Sequence, residues 1–255
     1  MDCLYVPEEE LMHRFYGSPD HSSTDLSFLT PEDAHHAIHV LRMKPGDEVE
    51  LIENGKRFLA RIESMVNGNV VLSKENELPS TEAAHTYILF QGLPKGDKME
   101  WIIQKSVELG IARIVPVIMS RCVVKLNEHD SVKKQERWQK IAREAGKQSG
   151  RCRIPEVTVP VNLHQIPDLA DLPEHVVIPW EEKTNYGPQA FFRDHPTIRS
   201  LGIVIGPEGG IDPDEIRILS SLPSVPITLG RRILRTETAG IAAVSALMAL
   251  YGEME

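Results

Sequence analysis

Residues 86–119, TYILFQGLPKGDKMEWIIQKSVELGIARIVPVIM, decide the fold class. TYILFQGL is a short apolar run of strand-forming residues, and Asp97 stands where it can cap a helix through MEWIIQKSVEL. Gly110 supplies a residue that ends helices at low steric cost, and IARIVPVIM follows as a second apolar strand. A helix between two such strands is the crossover that parallel pairing requires. The alternation continues with a long helix from about Val132 to Lys147 and strands at EVTVP (156–160), HVVIPW (175–180), LGIVIG (201–206) and VPITLG (225–230). A last helix spans about Ala239 to Tyr251. Asp212 to Glu215, DPDE, is a helix start with an acceptor at the cap, proline at the first helical position and Glu215 three residues after the cap. Residues 80–255 are therefore predicted to form an α/β domain with a mainly parallel sheet covered by helices.

The chain before this point has a different rhythm. Asn54-Gly55 separates EVELIE from KRFLARIE, and Asn67-Gly68 separates ARIESMV from NVVLS. An Asn-Gly pair supplies the positive φ angles of a tight turn between antiparallel strands. One helix precedes these hairpins, with Thr30 as cap, Pro31 at the first position, and Ala34, Ala37, Ile38 and Leu41 at helical spacing. Residues 1–75 are predicted to be a small β-barrel-like module, and KENELPSTEAAH (74–85) to be a linker.

Composition narrows the function. The chain has 255 residues, 41% hydrophobic and 25% charged, with a formal net charge of −9, which argues against a protein coated non-specifically in nucleic acid or anionic lipid. Its three cysteines, Cys3, Cys122 and Cys152, are far apart and show neither a disulfide framework nor zinc-ligand spacing. MDCLYVPEEE lacks the features of a secretory signal, and the longest nearly apolar stretch, 240–251, is shorter than the ~20 residues that cross a bilayer. A cytoplasmic protein with no membrane contact is expected. GLPKGDK is not a complete P-loop, and no GxGxxG, GxSxG or HExxH pattern is present. His35, His36 and His39 share a helix but have no further ligand near them in sequence, so no metal is expected.

Open parallel sheets bind ligands beyond the carboxyl ends of their strands, which directs attention to three loops. HVVIPW runs into Glu181-Glu182, LGIVIG into Pro207-Glu208-Gly209-Gly210, and VPITLG into RRILRTETA. Alone, IGPEGG reads equally as a glycine turn carrying a solvated glutamate. GRRILRTETAG is more informative, because it places Arg231, Arg232 and Arg235 before a helix whose start Thr236 or Thr238 can cap, a site for an anion or a polar ligand edge. The alternative is a loop stabilised by Glu237 pairing with an arginine. Between Lys133 and Arg153 there are eight Lys or Arg residues against Glu136 and Glu144. Trp138, Ile141, Ala142 and Ala145 fall on one helix face and leave a basic face outward, which is either a solvated surface or a phosphate contact.

Taken together, HVLRMKPGD (39–47), KGDKMEWIIQKSVELG (95–110), SRCVVKL (120–126), WQKIAREAGKQSGR (138–151), IGPEGG (205–210) and LGRRILRTETA (229–239) resemble the ribosomal RNA small-subunit methyltransferase E (RsmE) family of the SPOUT class, in the family's order and over nearly the whole chain. The resemblance implies a PUA-like β-barrel RNA-binding domain followed by a SPOUT α/β methyltransferase domain with a C-terminal trefoil knot, assembled as a homodimer. It implies an S-adenosylmethionine site at Pro179, Trp180, Glu181, Ile205, Gly206, Pro207, Glu208, Gly209, Gly210, Leu229, Gly230, Ile233, Leu234, Arg235, Thr236 and Thr238. It further implies methylation of N3 of one uridine in 16S rRNA of the small ribosomal subunit.

That chemistry needs a fixed cation for the charge that develops on the uracil ring and an acceptor for the N3 proton. Arg235 is expected to be the first, and Glu208 or Glu237 the second. His39, Arg42, Lys140, Arg143, Lys147, Arg151 and Arg153 are expected to face RNA, with Arg14 replacing the arginine-rich start that family members often have. Lys147 stands where the family usually has a glutamate, and Arg231 where proline is common. Two alternatives remain at this level: an RNA-binding assembly protein that keeps the fold without turnover, and a SPOUT enzyme acting on transfer RNA.

Overall fold

The computed structural model describes residues 12–20 and 25–255. The opening segment and Cys3 therefore lie outside the described residues. The chain divides into two compact units, Met1–Thr81 and Glu82–Glu255.

In the first unit, β1 (Arg14–Pro19), β2 (Leu26–Leu29), β3 (Glu48–Glu53), β4 (Lys56–Val66) and β5 (Asn69–Leu78) close into a barrel of order β1-β2-β5-β4-β3. Both predicted tight turns are present, with φ of 51° and 78° at Asn54 and Gly55 and of 52° and 81° at Asn67 and Gly68. β5 runs through Leu78, so the first half of the predicted linker is strand. Phe15, Val49, Leu51, Ala60, Ile62, Val70 and Leu72 fill the barrel, and the helix Pro31–His35 (α1) adds Ala34. Thr30 caps α1 by accepting from the Asp33 N–H, as its position predicted. The helical pattern beyond His35 continues only as a π turn, His36–Val40. Glu50 is buried and accepts from Arg14 at 2.6 and 3.0 Å and from Arg57 at 2.8 and 3.1 Å. Burial pushes its carboxyl up, but the two guanidinium groups prevail and hold it below the usual carboxylate value.

The second unit is built on β6 (Thr86–Gly92), β7 (Arg113–Ile118), β8 (Glu156–Val157), β9 (Val161–Asn162), β10 (His175–Pro179), β11 (Ser200–Ile205) and β12 (Ser224–Ile227). The order is β12-β10-β11-β6-β7-β8, with β9 also on β7, and every pairing is parallel. β6 shows why its run is continuously apolar. Tyr87 and Leu89 point into one core cluster, Ile88 and Phe90 into the other, so a period of two buries both faces. The first cluster is closed by α2 (Lys98–Leu109), α3 (Glu128–Ser149), α4 (Pro188–Asp194) and α6 (Thr236–Leu250). The second is closed by the 3₁₀ helix Leu163–Asp168 and α5 (Pro213–Leu219). Each fully buried Leu or Ile in these clusters contributes about 1.5–3 kcal/mol of transfer free energy.

Helix ends depart from the sequence expectations in informative ways. α2 ends at Gly110 with φ of 112°, as predicted, but Asp97 holds the cap position without a side-chain cap bond. α3 starts four residues before Val132, because Asn127 accepts from the Asp130 N–H, and it stops at Gly150 with φ of 72°. α5 carries the full capping box of Asp212 and Glu215. α6 starts at Thr236 rather than Ala239, with Arg235 at the cap position and no side-chain cap bond. Neither Thr236 nor Thr238 caps the helix. The Thr236 hydroxyl is engaged elsewhere, donating to the Gly206 carbonyl at 2.6 Å and accepting from the buried Gln91 amide at 2.9 Å.

Candidate functional site

β12, β10 and β11 are adjacent and parallel, so the loops leaving their carboxyl ends emerge side by side. They wall one cavity of about 1130 Å³. The first loop contributes Pro179, Trp180 and Glu181. The second contributes Ile205 through Ile211, and the third Thr228 through Thr236. Of the residues expected at the cofactor site, only Thr238 lies off this wall; it is exposed on α6. The wall also includes Lys98, Lys183, Thr184, Asn185, Arg231, Arg232 and Ala239, which the loop-by-loop reading did not assign to a cofactor.

Glycine is required in the second loop for space. A Cβ on Gly206 would stand 2.8 Å from Ile211 Cγ1, and one on Gly209 would stand 2.9 Å from Arg121 Cβ. Gly210 has φ of 74°, and a Cβ there would meet Glu181 Oε1 at 2.5 Å. Arg121, in the segment after β7, clamps the loop by donating to the Gly209 carbonyl at 2.9 Å and to Asp212 at 3.0 Å. The SRCVVKL block contains it, but nothing local in the sequence points from Arg121 to a loop 88 positions away. Burial pushes the neighbouring Cys122 thiol up, which keeps it protonated and a poor nucleophile.

Two carboxylates meet one ammonium at the edge of the cavity. Lys98, the first residue of α2, stands 2.8 Å from Glu208 and 3.5 Å from Glu237. Glu208 also accepts from the Lys95 N–H at 3.1 Å. Burial pushes the Glu208 carboxyl up, but Lys98 and the backbone donors outweigh it and hold it below its ordinary value. Glu237 Oε2 is buried and accepts no hydrogen bond of ordinary length. Arg231, Arg232 and Arg235 are exposed and have no ion-pair partner among the described residues. Ile233 between them is 83% exposed.

A family model described as an RNA methyltransferase domain matches residues 81–248, and one described as an RNA methyltransferase PUA domain matches residues 29–74. A ribosomal RNA small subunit methyltransferase E from Bacillus subtilis (strain 168) is 37% identical over 227 residues, which cover 86% of this chain and 88% of the relative. The chain belongs to the ribosomal RNA small subunit methyltransferase E family. A family member from Neisseria gonorrhoeae, solved bound to S-adenosyl methionine, is 32% identical, with a TM-score of 0.77 over 96% of this chain and all of the other (100%). A protein from Legionella pneumophila, solved in complex with the bound cofactor SAM, is 35% identical, with a TM-score of 0.74 over 93% of this chain and 97% of the other. The barrel and the parallel-sheet unit are thus the PUA-like and methyltransferase parts of the family fold.

The RNA-facing expectations divide on this family member's structure. His39 and Arg42 are exposed on the barrel unit, and Lys140 and Arg143 are exposed on α3 opposite the buried Trp138, Ala142 and Ala145. Lys147 is half-buried and Arg153 exposed. Arg151 is a correction. It is 3% exposed, donates to the Val107 and Ile111 carbonyls at 2.8 and 3.0 Å, and pairs with Glu82 at 2.7 Å. It closes the ends of α2 and α3 and presents no charge to a phosphate. Arg14 is partly exposed, and its guanidinium pairs with buried Glu50. Among the described residues no cluster of three or more His, Cys, Asp or Glu is placed to hold a metal, and no helix is long and apolar enough to cross a membrane.

Proposed function

We propose that this protein transfers a methyl group from S-adenosylmethionine to N3 of one uridine in 16S rRNA, on naked RNA or in the small ribosomal subunit. The observation that carries the reading is the cavity formed where three loops of adjacent parallel strands converge, with Arg235 on its wall and no ion-pair partner for it among the described residues. The wall suits an adenosine-bearing cation. Trp180, Ile205 and Leu229 are apolar, Gly206, Gly209 and Gly210 allow close backbone approach, and Glu181 and Glu208 are anionic. Pro179, Pro207, Gly230, Ile233, Leu234 and Thr236 complete this cofactor-binding assignment, with Thr238 behind the loop on α6.

When bound, that cofactor supplies the methyl electrophile on a sulfonium. The protein's part is orientation and charge. Uridine N3 gives up its proton as its electron pair forms the N–CH3 bond, and the negative charge spreads to O2 and O4. Arg235 is assigned to that charge, as a donor fixed in advance. Of the two carboxylates, Glu208 is held below its ordinary value by Lys98 and the backbone donors, and its oxygens are engaged by them. Glu237, with hydrogen-bonding capacity unspent, is assigned as proton acceptor.

His39, Arg42, Lys140, Arg143, Lys147 and Arg153 are assigned to RNA phosphates. We assign residues 1–75 to the PUA-like RNA-binding domain and 80–255 to the SPOUT domain with its trefoil knot. The working unit is taken to be a cytoplasmic homodimer, for which the bare Ile233 beside the cavity offers an apolar contact.

The test is incubation with labelled S-adenosylmethionine and small ribosomal subunits lacking the modification, followed by digestion and mass spectrometry. N3-methyluridine at one site is the expected result. Label confined to transfer RNA, or cofactor binding without transfer, overturns it.

A further inference from the structure

Lys98 lies in the KGDKMEWIIQKSVELG block but was given no role by the sequence, yet it is where three separate chain segments meet. It starts α2, its ammonium lies 2.8 Å from Glu208 of the loop after β11, and it lies 3.5 Å from Glu237 in the first turn of α6. We propose that Lys98 is a positioning residue for methyl transfer, its ammonium being the bridge that holds the Glu208 and Glu237 carboxylates together where the second and third cavity loops join. This deepens the assignment of Glu237 as proton acceptor and rests on that reading.

The physical argument is one of like charges. Two carboxylates that reach the same cation are themselves close, and without the cation one of them takes up a proton. A protonated Glu237 accepts nothing from uridine, and a protonated Glu208 loosens its hold on Lys95 and on the glycine loop. Other charged groups stand near this joint. Glu100 on α2 pairs with Arg137 of α3 at 2.7 Å, and Arg121 is bound to the Gly209 carbonyl and Asp212. Glu215 accepts from the Ser120 N–H at 2.6 Å. Arg235, two positions before Glu237, and Arg231 and Arg232 face the cavity, while Asp97 holds the cap position of α2 without a side-chain bond and Cys122 is protonated. Lys98 is therefore the cation in direct contact with both carboxylates. Its own ammonium is held above the ordinary lysine value, Glu208 being the largest cause.

The experiment has two arms. In the ligand-free full chain, carboxyl-labelled glutamate NMR follows Glu208 through a pH titration. Its midpoint is expected below the ordinary carboxylate value in the wild type, to rise by roughly one unit or more in Lys98→Gln, and to stay low in Lys98→Arg. A Glu208 midpoint that Lys98→Gln leaves in place overturns the proposal, whatever the enzyme's activity. In the second arm, the acidic limb of the kcat/KM profile on small subunits is expected to move upward by a similar amount in Lys98→Gln. It should fall back in Lys98→Gln/Glu208→Gln, where the competing carboxylate is gone. An acidic limb that does not move, or that the double variant fails to return, also overturns it. A wild type without transfer sinks the functional reading instead and leaves the first arm to decide the bridge.

Discussion

Arg151 and Arg235 both stand in basic stretches that the sequence offers to a negatively charged ligand, Arg151 to RNA and Arg235 to the charge developing on the uracil ring. They end in opposite environments. Arg151 is buried at the close of α3, with two carbonyls and the Glu82 carboxylate around its guanidinium. Arg235 is exposed on the cavity wall, and the described residues offer it no ion-pair partner. What separates them is a carboxylate distant in sequence. Glu82 lies 69 positions before Arg151, in a stretch that reads as linker, and it accepts from the Cys152 and Arg153 N–H groups as well. An arginine supplied with such a partner becomes part of the scaffold, while one left without it keeps its charge available for a substrate.

The largest effect expected from breaking this contrast is on stability. Arg151→Leu leaves Glu82 half-buried beside apolar surface, and removal of one partner of a buried pair costs about 3–5 kcal/mol. The loss is measured as a lower denaturant midpoint in tryptophan fluorescence, since Trp101, Trp138 and Trp180 all lie in the second unit. Burial raises the Glu82 carboxyl, but Arg151 and the two backbone donors more than reverse this and leave it lowered. Its contribution is therefore complete above the ordinary carboxylate value and is lost as pH falls through the lowered one, so the variant's stability should depend less on acid than the wild type's.

Arg235→Ala should do the reverse, leaving the midpoint in place and reducing single-turnover methylation about 100–1000-fold, equivalent to about 3–4 kcal/mol of transition-state stabilisation. S-adenosylmethionine affinity, read by calorimetry, is expected to hold. Turnover near wild type would place the charge-stabilising cation elsewhere. The smallest effect belongs to α3. Lys140→Gln/Arg143→Gln should weaken RNA binding about tenfold and flatten the slope of log affinity against log salt by about one per phosphate contact removed. An unchanged slope would make this face a solvated surface.

Much of the fold is legible because its signals are local. The Asn-Gly turns, the Thr30 cap, the box at Asp212 and Glu215, and the apolar run of β6 each announce themselves within a few residues. The three cavity loops follow from one rule about strand ends. The partners of Arg14, Lys98, Arg121 and Arg151 were not legible, because each is chosen by tertiary approach over tens of residues. Thr236 is the clearest case. A cap residue by type and place, it is drawn off by Gln91 and the Gly206 carbonyl, and the helix begins without a side-chain cap.

That small chain of bonds has a temporal meaning. Gln91 lies 145 positions before Thr236, and Gly206 lies 30 before it, so the glycine loop acquires its final anchor only when α6 has docked. On a ribosome synthesising this protein, β6 and the first two loops emerge before that helix, which follows β12 after a short loop. The nascent chain therefore carries an unfinished pocket until its last stretch is made, and competence arrives in one late step, with contacts of high sequence separation setting its pace.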